Sequence, residues 1–157
     1  MDARHLLRHS LAVVAYRGGK AIRNAPAEFA VFKISPTSRA PAEIVAHIGD
    51  LFEWGLSIAR GRQTWSDSPP AEWDQVIERF YSALAAFDAY LASSEPIHAS
   101  AEKLFQGPIA DSLTHVGQLT MLRRLAGAPV RGESYYAAHI TTGEVGPNQP
   151  APIKEFD

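Results

Sequence analysis

The sequence predicts an all-α protein, an antiparallel four-helix bundle with an irregular C-terminal tail. Three observations carry this. Four stretches repeat apolar residues at the three- and four-residue spacing of a helix face. No stretch shows the sustained apolar-polar alternation of a half-buried strand. The last thirty residues lose periodicity and fill with proline and glycine.

In the first stretch, Ala3 to Asn24, the residues Leu7, Leu11, Val14, Gly18, Ala21 and Ile22 share one side. Gly18 and Gly19 inside it each cost about 1 kcal/mol relative to alanine, which predicts a close helix-helix approach or a kink at that level. A proline-containing connection follows over residues 25–40. Pro41 is placed as the first residue of a second helix, with the Glu43 carboxylate near its free N–H groups. That helix runs through Ile44 to Arg60, and Gly61 stops it. After Ser-Asp-Ser-Pro-Pro, the third helix is the most regular: Trp73, Ile77, Phe80, Leu84, Phe87 and Leu91 recur without a miss. Phe80 and Leu84 are expected deep in the core. A short helical piece from about Ile97 to Phe105 is then expected to break at Gly107-Pro108, because proline has no N–H to donate. Pro108 opens the fourth helix, which ends near Ala126 with Arg123 and Arg124 suited to its C-terminal dipole. The bundle is thus assigned to residues 1–127 and a Pro/Gly-rich tail packing on it to residues 128–157.

Composition narrows the function. At 157 residues the chain suits one core, with 46% hydrophobic and 20% charged residues. A net charge of -2 gives no basic footprint, so no nucleic-acid partner is expected. The absence of cysteine excludes disulfides, thiolate metal sites and a cysteine nucleophile. No apolar run reaches the ~20 residues that span a bilayer, and the N-terminus does not read as a signal peptide, so no membrane association and a cytoplasmic location are expected.

The chemistry must come from side chains projecting off helices. On the fourth helix Asp111, His115, Gln118, Leu122 and Leu125 are spaced four, three, four and three, placing a carboxylate and an imidazole at the head of an apolar stripe. On the second helix His47 shares a face with Leu51, Trp54 and Ile58. If the two helices are neighbours, His47, Asp111 and His115 converge on one divalent ion and leave its other side open to water or substrate. The same spacing also fits a reading without metal, in which Asp111 favours the helix N-terminus and the histidines are hydrogen-bonded core groups.

Residues 107–127, with Ala46-His47-Ile48-Gly49-Asp50-Leu51 upstream, resemble the DinB-like superfamily of four-helix bundles. In that family a histidine on the second helix and two histidines four residues apart on the fourth, the second followed closely by Gly-Gln, hold a divalent metal. His47 and His115 match, and Gly117-Gln118 follows. Asp111 stands where the first histidine of the pair is usual, and Val116 where an arginine often precedes Gly-Gln. The resemblance therefore implies His47, Asp111 and His115 as ligands of zinc, nickel, iron or manganese, with the harder carboxylate donor favouring iron or manganese. It implies a metal-dependent enzyme acting on a small-molecule substrate, a thiol-dependent transferase or isomerase using a low-molecular-weight thiol such as mycothiol or bacillithiol, or a hydrolase. The alternative is a non-catalytic dimeric or small-ligand-binding bundle without metal. A stress-related role and a homodimer, paired through apolar helix faces, are also expected.

Other polar residues read more simply. His5 and His9 have ligand-like spacing but lie opposite the apolar stripe, on a solvated face. Asp50 and Glu53 are read as surface charge or helix-end contacts. Gln118, one turn past His115, is read as an inward group bonding between helices. His139, with Tyr135 and Tyr136 in the tail, is placed where it could fold over the open end of the bundle, packing being the simpler role for the tyrosines.

Overall fold

The first bundle helix, α1 (Ala3–Ile22), is capped by Asp2, whose carboxylate accepts from the Arg4 amide at 3.2 Å. The computed structural model describes residues 2–156; Met1 and Asp157, at the outer ends of the expected bundle and tail, lie outside the described residues. The predicted face of α1 is buried throughout, and the chain turns away at Asn24, which has φ of +55°. A Cβ on Gly18 would stand 2.9 Å from the Phe80 ring and 3.4 Å from Val116, so glycine here permits the close helix approach the sequence implies. The connection that follows is not featureless. A 3-10 turn, Ala27–Val31, seats Phe29 in the core at 1% exposure.

Helix α2 (Pro41–Ala59) opens on Pro41, and Glu43 accepts from the Ala40 amide at 2.6 Å; Gly61, with φ of +76°, takes the chain out. Helix α3 (Trp73–Ala92) buries Phe80, Leu84, Phe87 and Leu91 as its period requires. The segment 60–72 between them returns along the length of α2. Ser57 Oγ accepts from the Thr64 amide at 3.1 Å, and Asp50 Oδ2 accepts from the amide of Ser68 at 3.3 Å. This return makes α2 and α3 parallel neighbours, with Gly49 beside Arg79 and Gly55 beside Phe87.

The expected break at Gly107-Pro108 does not occur. Helix α4 (Ala101–Leu104), capped by Ser100, passes through a π-turn, Phe105–Ile109, into α5 (Ala110–Leu125). The wider π register accommodates the missing N–H and the ring of Pro108, and the Pro108 carbonyl accepts from Ser112 Oγ at 2.6 Å. Pro108 is buried, and a Cβ on Gly55 of α2 would lie 3.0 Å from its ring.

The four long helices form the bundle, with α1 and α2 each packed between α3 and α5. Helices α1 and α3 run antiparallel, as the Arg8–Asp88 and Gly18–Phe80 contacts show. So do α2 and α5, through Gly55–Pro108 at one end and His47–His115 further along. No helix among the described residues is long and apolar enough to cross a membrane.

Residues 128–156 are laid against α1. Gly132–Glu133 pairs antiparallel with Glu155–Phe156, and the buried Glu133 accepts from Tyr16 Oη at 2.6 Å and Lys20 Nζ at 2.7 Å. Burial and this carboxylate push the Tyr16 phenol well above its usual pKa. Lys20 also meets Glu155 at 2.8 Å, so one cation ties both tail strands to the bundle. Glu133→Ala strands Tyr16 and half of the Lys20 pairing, and urea unfolding should show a loss of about 1.5–3 kcal/mol. An unchanged urea midpoint would mean that the tail does not depend on this anchor.

Candidate metal centre

Antiparallel packing of α2 on α5 brings two stripes edge to edge. His47 lies on the second turn of α2, Asp111 on the first turn of α5 and His115 one turn later. The His47 and His115 rings have centroids 4.7 Å apart at 55°. One donor atom from each of His47, Asp111 and His115 lies within 4.8 Å of the others, so the group could hold a metal ion. Donors sharing one ion at ordinary bond lengths sit about 3–3.5 Å apart, so binding would require the side chains to rotate, above all the Asp111 carboxylate, which lies 3.3 Å from Nδ1 of His115.

The orientation of His115 is fixed by its own helix. Its Nδ1 lies 2.8 Å from the Asp111 carbonyl oxygen and 3.3 Å from Asp111 Oδ1. A carbonyl oxygen can only accept, so Nδ1 carries the hydrogen and Nε2 keeps the lone pair a metal needs. Thr114 Oγ1 donates to the same carbonyl at 2.7 Å and meets Asp111 Oδ1 at 3.2 Å, steadying the carboxylate. His47 is half-buried, and burial first, then the neighbouring His115 and Arg39, lower its pKa below the ordinary value. A neutral imidazole is the ligating form.

The return segment supplies a wall that the sequence reading did not include. Trp65 sets its ring edge-on to His47 at 5.6 Å and to Trp54 at 5.8 Å, and its Nε1 donates to Asp67 at 3.1 Å. His47 also lines a cavity of about 250 Å³ with Arg39, Asp50, Asp67 and Pro69. The reading of Asp50 as surface charge is wrong. It is 5% exposed and pairs with Arg79 Nη2 at 2.7 Å, because a long guanidinium reaches across from α3. Arg79 also pairs with Glu53 at 2.8 Å and donates Nη1 to the Ala46 carbonyl at 3.2 Å, fixing the turn of α2 that carries His47. Gly49 leaves room for it, since a Cβ there would lie 3.1 Å from Arg79 Nη1.

Gln118 is not an inward group. The buried residues of α5 are Ser112, His115, Val116, Leu119, Leu122 and Arg123, so the covered face is centred one residue on from the Asp111–His115–Gln118–Leu122–Leu125 row. His115 and Leu122 of that row are buried at the edge of this face, while Gln118 and Leu125 are exposed. His139 and Tyr136 are exposed as well, and Tyr135 packs on α1, edge-on to Tyr16 at 6.3 Å and under the Arg17 guanidinium at 4.4 Å. The tail therefore covers α1 and brings none of these residues to the His47 group. His5 is exposed, and His9 Nδ1 meets Thr142 Oγ1 at 3.2 Å. Comparison of the chain with protein-family models, with curated proteins and with solved structures gave no match.

Proposed function

We propose that this chain is a divalent-metal-dependent enzyme of the DinB-like type, with His47, Asp111 and His115 as ligands on one side of the ion and a water or substrate thiol on the other. The convergence of the three donor atoms carries the reading. The carbonyl-fixed tautomer of His115 supports it, because it leaves Nε2 unprotonated on a ring whose centroid lies 4.7 Å from that of His47. A bound divalent ion would lower the pKa of a coordinated water or thiol toward neutrality, supplying a nucleophile for hydrolysis or thiol transfer. Two imidazoles and a carboxylate suit iron, manganese or zinc, the carboxylate oxygen improving the match to iron and manganese relative to a three-histidine set. The protein's own contribution is to hold the ligands, through the Arg79 pairing beneath His47 and the aromatic cover of Trp65 and Trp54.

A second reading has one observation in its favour. The His115 Nδ1 bond to Asp111 is satisfied without an ion, as in a polar cluster that only stiffens the seam. Metal retention against pH separates the two. Ligation needs both imidazoles neutral, and His47 takes up its proton only below the ordinary value near 6.5. Loading measured by equilibrium dialysis with manganese should be complete near pH 8 and fall away as pH drops below about 6. Manganese uptake that is absent throughout, or that does not change with pH, would contradict imidazole ligation.

A further inference from the structure

The α2–α5 seam continues past the His47–His115 pair as an open apolar groove. Ile44 precedes His47 by three residues and Gln118 follows His115 by three, and on antiparallel helices both steps lead the same way, by about 4.5 Å. Met121, Leu122 and Leu125 carry the α5 wall onward, and Ile34 of the 25–40 connection stands on the opposite bank. Ile34, Met121 and Leu125 are 56%, 55% and 54% exposed, apolar surface gathered at one place rather than scattered. At about 490 Å³ the groove lies in the size range of small-molecule sites.

One charge stands at its lip. Arg39 lines both this groove and the cavity that holds His47. The adjoining carboxylate, Glu43, is already engaged by the Ala40 amide at 2.6 Å and Lys33 at 3.3 Å. Arg39 has no hydrogen bond or ion pair among the described residues. A guanidinium that reaches Glu43 only through space, with its five donors unbonded over an apolar floor, matches a ligand with an anionic head and an apolar body, and its planar fork suits a carboxylate held by two parallel bonds.

We infer that the groove binds a small amphiphilic carboxylate, its head on Arg39 and its body over Ile34, Ile44, Met121 and Leu125. The inference deepens the metal-enzyme reading by naming its substrate class, since a head group at Arg39 stands between the groove and the cavity of His47. Binding itself does not require the ion, so the two can fail separately.

The test uses the full chain after chelator treatment, titrated calorimetrically with octanoate, octanol and octyltrimethylammonium, while the Met121 methyl group is followed by NMR. Octanoate should bind and shift the Met121 signal, and the other two should bind more weakly. Arg39→Gln, at an exposed position, should weaken octanoate by about tenfold or more. His115→Ala should leave octanoate binding unchanged even where it removes metal, which keeps this result distinct from the fate of the metal site. Octanoate affinity insensitive to Arg39→Gln, equal affinity for the ammonium, or no binding would overturn the inference. So would self-association that closes the groove and is lost in Met121→Glu, which would assign it to a second copy of the chain.

Discussion

His115→Ala should abolish metal binding, lowering affinity by at least about 100-fold, because it leaves one imidazole and one carboxylate on separate helices. Asp111→His is the sharper variant. It should retain an ion while shifting relative preference further toward zinc and nickel, as a softer nitrogen donor replaces an oxygen. Asp111 is only partly buried and supplies its carbonyl, not its carboxylate, to the shorter of the two His115 contacts, so this exchange leaves the orientation of His115 in place. Competition dialysis of both variants, with circular dichroism to establish folding, measures the pair. A His115→Ala protein that binds as tightly as the parent would remove His115 from the ligand set.

Phe80→Ala should lower stability by about 3–5 kcal/mol, the largest effect expected from a single core position. Phe80 is 1% exposed and meets Phe52 at 6.0 Å and Tyr81 at 4.9 Å, while Gly18 of α1 approaches its ring closely. The truncation opens a cavity where α1, α2 and α3 meet, and helices rigidly interdigitated through glycine contacts cannot collapse to fill it. For a chain of this size the loss corresponds to a fall in thermal midpoint of roughly 6–20 °C. A midpoint that does not move would contradict the packing around α3.

Much of this was legible in local pattern. The period of α3, the stripe of α1 and the Pro41 and Gly61 boundaries of α2 follow from helix geometry and caps, and Gly18 marked the close approach. The convergence of His47, Asp111 and His115 followed from two stripes once α2 and α5 were taken as neighbours. What pattern could not supply was long-range. The return of residues 60–72, which sets Trp65 on His47, has no periodicity because its bonds go to α2 rather than to itself. Asp50 was misread because its partner Arg79 lies on another helix, and a buried carboxylate looks like any other until its counter-ion is placed. Gln118 was misread because four-three spacing locates a row on a helix without saying where the covered face is centred, and here the face covers His115 and Leu122 of the row but leaves Gln118 outside. Gly107-Pro108 was read as a break between two helices because the proline rule assumes the α register, and a π-turn escapes it. Glu133 gave no signal, since its partners Tyr16 and Lys20 lie more than a hundred residues away.

The central claim is that the seam between α2 and α5 is a metal site, and elemental analysis tests it most directly. Protein purified without chelator and without a metal-binding tag should carry close to one divalent ion per chain, and the His47→Ala, Asp111→Ala and His115→Ala proteins should each carry far less. Folded parent protein that contains no transition metal, and takes up none from iron, manganese, zinc or nickel offered in turn near pH 8, would contradict it.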